Sequence, residues 1–355
     1  MASHNALCMI LFLLFMGLLL PYEVSSSRSA PHPEKTMLER HEKWIFQHGR
    51  VYKDLAEKER RFRIFKDNVE RIEAFNNGED KGFKLAVNHF ADLTDDEFRT
   101  FHATGYNRSV QTTPFSDATV MPENYGDYGR RYFRYANVQS VPESVDWRDR
   151  GVVTPVKYQG QCGSCFAFAS VAAVESINAI TSGQLVSLSE QEIVDCQQTS
   201  YHCGGGMMDN TYEFIRSNGL TTESNYPYQA QQGYCQNAAS YPAVRINGYE
   251  DVPQNSETDM LKAVANQPIS VAIAGGDYYF RYYNNGIMNM QCRTNTDHAV
   301  TIVGYGTTNN GRKYWIAKNS WGTGWGENGY IYLARDVADS GGLCGLATYP
   351  SYPTI

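Results

Sequence analysis

"YQGQCGSCFAFAS", residues Tyr158 to Ser170, sets two cysteines three apart at the mouth of an apolar run. A C-x-x-C can be half of a metal site, a redox pair, or a structural cysteine beside a reactive one. The chain has no second C-x-x-C and no H-x-x-x-H, which argues against zinc. A redox pair calls for a compact βαβ setting without surplus cysteines. Behind the motif, residues 165–181 hold few charges and many Ala, Val, Ile and Phe. They read as a helix buried on most sides, with Gly183 as its stop. Cys165 then stands at a helix N-terminus, where free N–H groups and the dipole favour a thiolate.

Downstream, Ser189 and Glu192 form a capping-box pattern for a second helix. From Ile269 the pattern turns strand-like: "ISVAIA", "HAVTIVGYG", "KYWIAKNSWG" and "GYIYLAR" are β-branched or aromatic runs broken by Gly and Asn. Helices first and strands afterwards predict an α+β protein with two unlike halves.

Upstream, the apolar block Leu7–Leu20 is short for a membrane span and is followed by small residues. It reads as a signal peptide cut near Ser25–Ser27, which sends the chain into an oxidising compartment. Beyond Cys8 there are seven cysteines, so pairing leaves at least one thiol free. Residues 1–140 carry 19 Lys+Arg and 19 Asp+Glu, whereas residues 141–355 carry 12 and 19. The later part is acidic, with no basic stripe, which excludes nucleic acid as an expected partner.

Between Glu34 and Asn76 the sequence reads as charged amphipathic helix, with Phe62, Phe65, Val69, Ile72 and Asn76 on one face. A generic surface helix explains that stripe but not the ordered polar residues within it. "NYGDYGRRYFRYANVQ" (Asn124–Gln139) has no periodicity and reads as an exposed linker open to proteolysis. Asn107-Arg108-Ser109 is a glycosylation acceptor just before it. "VPESVDWRDRGVVTPVK" begins a new domain.

His298 in "TDHAV" opens a strand-like run and is a candidate base for Cys165. Asn319 in "KNSWGTGWGENGY" could accept from that imidazole and fix its tautomer. Gln159 could add a side-chain N–H beside the backbone N–H of Cys165, an oxyanion hole.

Taken together, these segments resemble the papain-like cysteine proteases, and most closely the plant members, over nearly the whole chain. "QGQCGSCFAFAS" carries the nucleophile to Cys165 and the oxyanion donor to Gln159. "DHAV" carries the base to His298, and "KNSWGTGWG" the orienting amide to Asn319, shielded by Trp321. Glu57, Arg61, Phe65, Asn68, Ile72 and Asn76 fit the family's propeptide signature position for position. Asn88, Phe90 and Asp92 in "AVNHFAD" fit a second propeptide motif, which here opens with Ala86 where Gly is common. Phe166 stands where the family usually has Trp.

The resemblance implies a two-lobed α+β fold: a mainly helical lobe and a β-barrel lobe with a cleft between them, preceded by a small helical propeptide domain. It divides the chain into a signal peptide at 1–27, a propeptide at 28–140 (helical domain 34–100, linker 101–140) and a mature peptidase at 141–355. The helical lobe would run over 150–251 and the barrel over 252–347. It implies disulfides Cys162–Cys203, Cys196–Cys235 and Cys292–Cys344, leaving Cys165 as the odd thiol, and no metal or cofactor. Gly206 would hold substrate backbone. Trp325 is a further expected substrate-binding residue, and Met208, Ala272, Ala299 and Tyr349 would line an uncharged pocket for the side chain two before the scissile bond, favouring apolar residues.

The expected function is a cysteine endopeptidase made as a zymogen, its cleft blocked by the propeptide until acidification or cleavage. Asp92 and the helix acids are its candidate pH-sensitive groups. A catalytically altered storage or defence protein, or a peptide ligase using the same acyl-enzyme, are the alternatives. Expected partners are protein substrates, the chain's own propeptide and cystatin-type inhibitors. The mature form is expected to be a monomer without a membrane anchor, in a vacuole- or lysosome-like compartment or outside the cell.

Overall fold

The structure, a computed structural model, describes residues 33–103, 105–106, 133–236, 242–292 and 295–355. The expected signal segment and Asn107 lie outside these residues. The chain divides into two compact units, residues 1–49 and 50–355. In the first, helix α1 (Pro33–Gln47) stacks His41 on Trp44.

The single amphipathic segment expected from Glu34 to Asn76 is two helices. Gly49 takes a left-handed φ of +59°, a conformation that only Gly adopts cheaply. Asp54 then caps α2 (Leu55–Asn77) by accepting from Glu57 N. The buried face of α2 carries Phe65, Asn68, Val69 and Ile72, and its polar residues have partners ahead of them. Strand β1 (Phe83–Leu85) and helix α3 (Asp95–His102) follow, α3 beginning in a complete Thr94–Glu97 capping box. Arg61 pairs with Glu57 at 2.7 Å and Glu97 at 2.8 Å, and donates to Asp92 O. Asn68 Nδ2 donates to Ala91 O and Leu93 O. Asn76 holds both the N–H and the carbonyl of Leu85. The ordered polar residues of the stripe fasten the 83–94 loop onto α2.

Beyond that loop, β2 (Val145–Asp146) precedes α4 (Cys165–Ser182), α5 (Glu190–Cys196) and α6 (Met208–Asn218). Helix α4 is mostly apolar, with Glu175 its one charged residue, is buried along most of its length, and ends at Gly183 with φ +75°. The capping box expected at α5 is half made. Ser189 Oγ accepts from Glu192 N, but the Glu192 carboxylate turns away to accept from Thr221 N at 2.8 Å. The Ser189 N–H that a full box would engage is already bonded to Thr221 O at 3.0 Å.

The remainder is β3 (Gly248–Asp251), α7 (Glu257–Val264), β4 (Ile269–Ile273), α8 (Tyr278–Arg281), β5 (Tyr283–Met288), β6 (His298–Thr307), β7 (Lys313–Lys318), β8 (Tyr330–Ala334) and β9 (Ser351–Thr354). The strands form one mixed sheet in the order β1-β5-β8-β7-β6-β4-β9-β3, with β2 also on β6. Only β5 and β8 run parallel among these pairs. The four strand-like runs read from the sequence are β4, β6, β7 and β8. Helix α4 packs against β6, so the first residue of the helix and the first residue of the strand come to one place. A buried polar chain ties α4 to the end of β7 behind that point: Lys318 Nζ to Thr154 Oγ1, Thr154 to Glu175 on α4, and Glu175 to Lys157.

Candidate active site

Cys165 is the first residue of α4 and the one unpaired cysteine among the described residues. The other six form Cys162–Cys203, Cys196–Cys235 and Cys292–Cys344. The Cys162 bridge excludes a Cys162–Cys165 redox pair in this state. His298 opens β6, with its Nε2 donating to Asn319 Oδ1 at 2.8 Å. Asn319 Oδ1 also accepts from Ser320 N, which fixes the amide orientation. The tautomer follows: Nε2 carries the proton, and Nδ1, which is buried and has no hydrogen-bond partner, keeps its lone pair. The Trp321 indole lies 4.6 Å from the imidazole, ring to ring, and screens the contact.

Gln159 is buried, donating from Nε2 to Cys162 O at 2.9 Å and accepting from Ser320 Oγ at 2.6 Å. One amide hydrogen is thereby committed and the other left over. Phe166, the departure from the family's Trp, lies against Gly206: a Cβ there would come within 2.7 Å of the Phe166 ring. Met208, Ala272 and Ala299 share one buried apolar cluster, with Tyr349 packed against it, and the cluster includes a ring that sequence reasoning missed, Tyr106. Its ring lies 5.9 Å from that of Tyr349. A cavity of about 150 Å³ beside Tyr106 is lined by Met207, Met208, Asp209, Asp251 and Tyr349, among others. Trp325 is fully buried behind Trp321, with its Nε1 on Arg281 O.

Gly105 and Tyr106 strap the site. Gly206 N donates to Gly105 O at 3.0 Å, and Tyr106 N donates to Asp297 O at 3.2 Å. Tyr106 runs parallel to Gly206. Gly105 presses on the sulfur, such that a Cβ on it would sit 2.4 Å from Cys165 Sγ. Phe90 and Phe98 pack edge-on against Trp321 at 5.3 and 5.4 Å. His102 packs against both Phe90 and Phe98, which also touch each other.

Covering changes the electrostatics. Burial pushes the Cys165 thiol up to about 12, although the N–H groups of Ala299 and Phe166 pull the other way. Burial holds His298 down at about 4 against the pull of Asn319. Under the strap the pair is therefore neutral thiol and neutral imidazole. Sulfur and imidazole are assembled here without the charge separation that attack on a carbonyl needs.

Residues 141–354 match the papain family cysteine protease profile, and residues 41–98 match that of the cathepsin propeptide inhibitor domain. A senescence-specific cysteine protease of Arabidopsis thaliana is 49% identical over 348 residues, 96% of this chain and 97% of that protein. Fruit bromelain of Ananas comosus is 46% identical, covering 97% of this chain and 94% of its own length. Among solved structures, a recombinant stem bromelain precursor is 43% identical with a TM-score of 0.79, covering 90% of this chain and 99% of that one. The proform of a ragweed pollen allergen cysteine protease is 38% identical with a TM-score of 0.81, covering 91% and 95%. The chain belongs to the papain family of cysteine proteases and carries its own propeptide inhibitor as a zymogen.

Proposed function

We propose that the enzyme is an endopeptidase in which Cys165 is the nucleophile, His298 the acid and base, Asn319 the orienting amide and Gln159 an oxyanion donor. The observation that carries this is the His298–Asn319 contact, which leaves Nδ1 as the free nitrogen in the site that holds the unpaired thiol. With the strap gone, water and substrate return and the Sγ proton passes to Nδ1. The thiolate adds to the carbonyl carbon, and the oxyanion is held by Gln159 Nε2–H and Cys165 N–H. The imidazolium returns its proton to the leaving amine, and the same ring then deprotonates water to hydrolyse the acyl-enzyme. The test is an epoxide thiol reagent on the activated enzyme, followed by mapping. Modification of Cys165 together with a new N-terminus near Val141 supports the assignment; modification elsewhere overturns it.

Gly206 N, which here bonds the strap, would hold substrate backbone once the strap leaves. The pocket of Met208, Ala272, Ala299 and Tyr349 would take the side chain two before the scissile bond. Tyr106, in the same buried cluster, supports a taste for aromatic as well as aliphatic side chains there. We expect a peptide-library profile led by apolar and aromatic residues there; one led by Arg or Lys overturns the assignment. The domain limits stand as proposed from the sequence: signal 1–27, propeptide 28–140 and peptidase 141–355. So do passage through the secretory pathway, a monomeric mature form and sensitivity to cystatin-type inhibitors.

Acid would loosen the strap through histidines rather than the helix acids. Hydrogen bonds from Arg60 and Arg61 hold Glu57 down at about 2, and Glu97 is also held low, so these acids stay charged through mild acid. Burial, with Arg281 nearby, holds His102 at about 4, as burial holds His298. A histidine lowered from 6.5 to about 4 is neutral in the covered state and binds a proton more readily when freed. Each therefore weakens covering as pH falls from 6.5 to 4, by up to on the order of 3 kcal/mol. Asp297, raised from 3.8 to about 7 by burial, opposes them across that whole window, so the two histidines act against it together. His102→Phe removes one such group while keeping a ring packed on Phe90 and Phe98. Its precursor should convert several-fold more slowly at pH 5 and shift its activation midpoint downward. An unchanged rate–pH curve would rule His102 out.

A further inference from the structure

Gln159 and Ser164, the residue just before the nucleophile, are both fully buried, and one phenol touches both. Tyr228 OH lies 2.8 Å from Gln159 O and 2.6 Å from Ser164 Oγ. Counting hydrogens sets the direction of these bonds. A carbonyl oxygen can only accept, so the phenol hydrogen goes to Gln159 O. The short contact to Ser164 then uses the serine hydrogen, whose alternative acceptor, Cys162 O, is 3.4 Å away. The result is a chain of two hydroxyls, Ser164 Oγ–H to Tyr228 Oη–H to Gln159 O, in which each bond polarises the next.

The phenol is itself held. Its ring stands edge-on to Phe168 of α4 at 4.8 Å, and its backbone N–H donates to Glu223 Oε1 at 2.9 Å. Burial raises its pKa above the usual tyrosine range and keeps the hydroxyl protonated. The segment after it also abuts the loop: Gly160 takes φ +64°, and a Cβ there would lie 2.9 Å from Ala230 Cβ. At its other end Gln159 is held by Ser320, whose carbonyl accepts from Gln159 N at 2.9 Å and whose hydroxyl donates to Oε1 at 2.6 Å. Ser320 thus fixes the N–H and the amide oxygen, and Tyr228 fixes the carbonyl.

We propose that Tyr228 is a positioning residue for hydrolysis: by joining Ser164 to Gln159 it sets the spacing between the two oxyanion donors, Cys165 N–H and Gln159 Nε2–H. It rests on the reading of Gln159 as an oxyanion donor. Such donors act at full strength only when already aimed at the place where charge develops. Loosening one of them is therefore felt in the transition state and not in the binding of substrate.

The test uses full-length precursors converted to active enzyme: wild type, Tyr228→Phe, Ser164→Ala, Gln159→Ala, and Tyr228→Phe combined with Gln159→Ala. Three readouts are compared: kcat and KM on a fluorogenic peptide, affinity for a peptide aldehyde, and the rate of reaction with dipyridyl disulfide. Addition of Cys165 to the aldehyde forms a hemithioacetal whose oxygen takes the oxyanion position, whereas disulfide exchange needs only the thiolate. Tyr228→Phe should lower kcat roughly tenfold with KM within about twofold, weaken the aldehyde by the same factor, and leave exchange near the wild-type rate. Ser164→Ala should show the same pattern with a smaller loss, roughly threefold, and it carries the test if Tyr228→Phe does not fold. Once Gln159→Ala is present, Tyr228→Phe should cost at most about twofold more in aldehyde affinity. Wild-type aldehyde affinity in Tyr228→Phe overturns the proposal. So does a full additive loss in the combined variant, or an exchange rate that falls as far as aldehyde affinity does. Wild-type aldehyde affinity in Gln159→Ala would instead sink the oxyanion reading on which it rests.

Discussion

Cys165→Ala, taken to the mature form by an added protease, should lose peptide hydrolysis by about 10⁵- to 10⁶-fold in kcat. No neighbouring group can take over. Ser164 is committed to Tyr228 through a 2.6 Å hydrogen bond, and all other described cysteines are in disulfides. What survives is the contribution of Gln159 and of substrate alignment along Gly206, which orient a carbonyl that nothing attacks. The variant precursor should also fail to process itself. Kinetics on a fluorogenic peptide at matched concentrations of purified, folded protein check this, and activity within a hundredfold of wild type refutes the assignment.

Gly105→Val should abolish latency while leaving the mature enzyme alone. The added Cβ would lie 2.4 Å from Cys165 Sγ and 2.8 Å from Gly163 O, the latter a backbone atom at the entrance of α4 that has little room to move. Relief comes by lifting the strap. That stretches the bonds from Gly206 N to Gly105 O and from Tyr106 N to Asp297 O, and it admits water to a thiol now held neutral by burial. The intact precursor at pH 7 should react with a small thiol reagent at least tenfold faster than wild type. Equal labelling rates would mean that Gly105 does not guard the sulfur.

Much of this was legible in the chain. The apolar run behind Cys165, the β-branched strands and the polar stripe of α2 each leave a periodic or compositional trace. Fastening of the 83–94 loop by Asn68 and Asn76 explains why those polar residues interrupt an otherwise apolar face. The break at Gly49 escaped because α1 and α2 carry similar charged patterns on both sides of it. Glu192 escaped because its partner, Thr221, is distant in sequence. Gly105, Tyr106, His102 and Tyr228 were not legible for a related reason. Each owes its role to a close approach between segments far apart in the chain, and a lone Gly, Tyr or His outside a motif carries no local mark of that.

Strand β1 contributes three residues to one margin of the sheet, pairing Phe83 with Gly286, Lys84 with Asn285 and Leu85 with Tyr283 across a register slip. When the inhibitor departs, that margin is left raw, the kind of border along which molecules can stack into fibres. Here the border is crooked: Gly286 sits at φ +87°, a kink that interrupts the row of donors and acceptors a neighbouring copy would need. The kink at Gly286 thus makes the uncovered margin a poor template for strand pairing with a second copy.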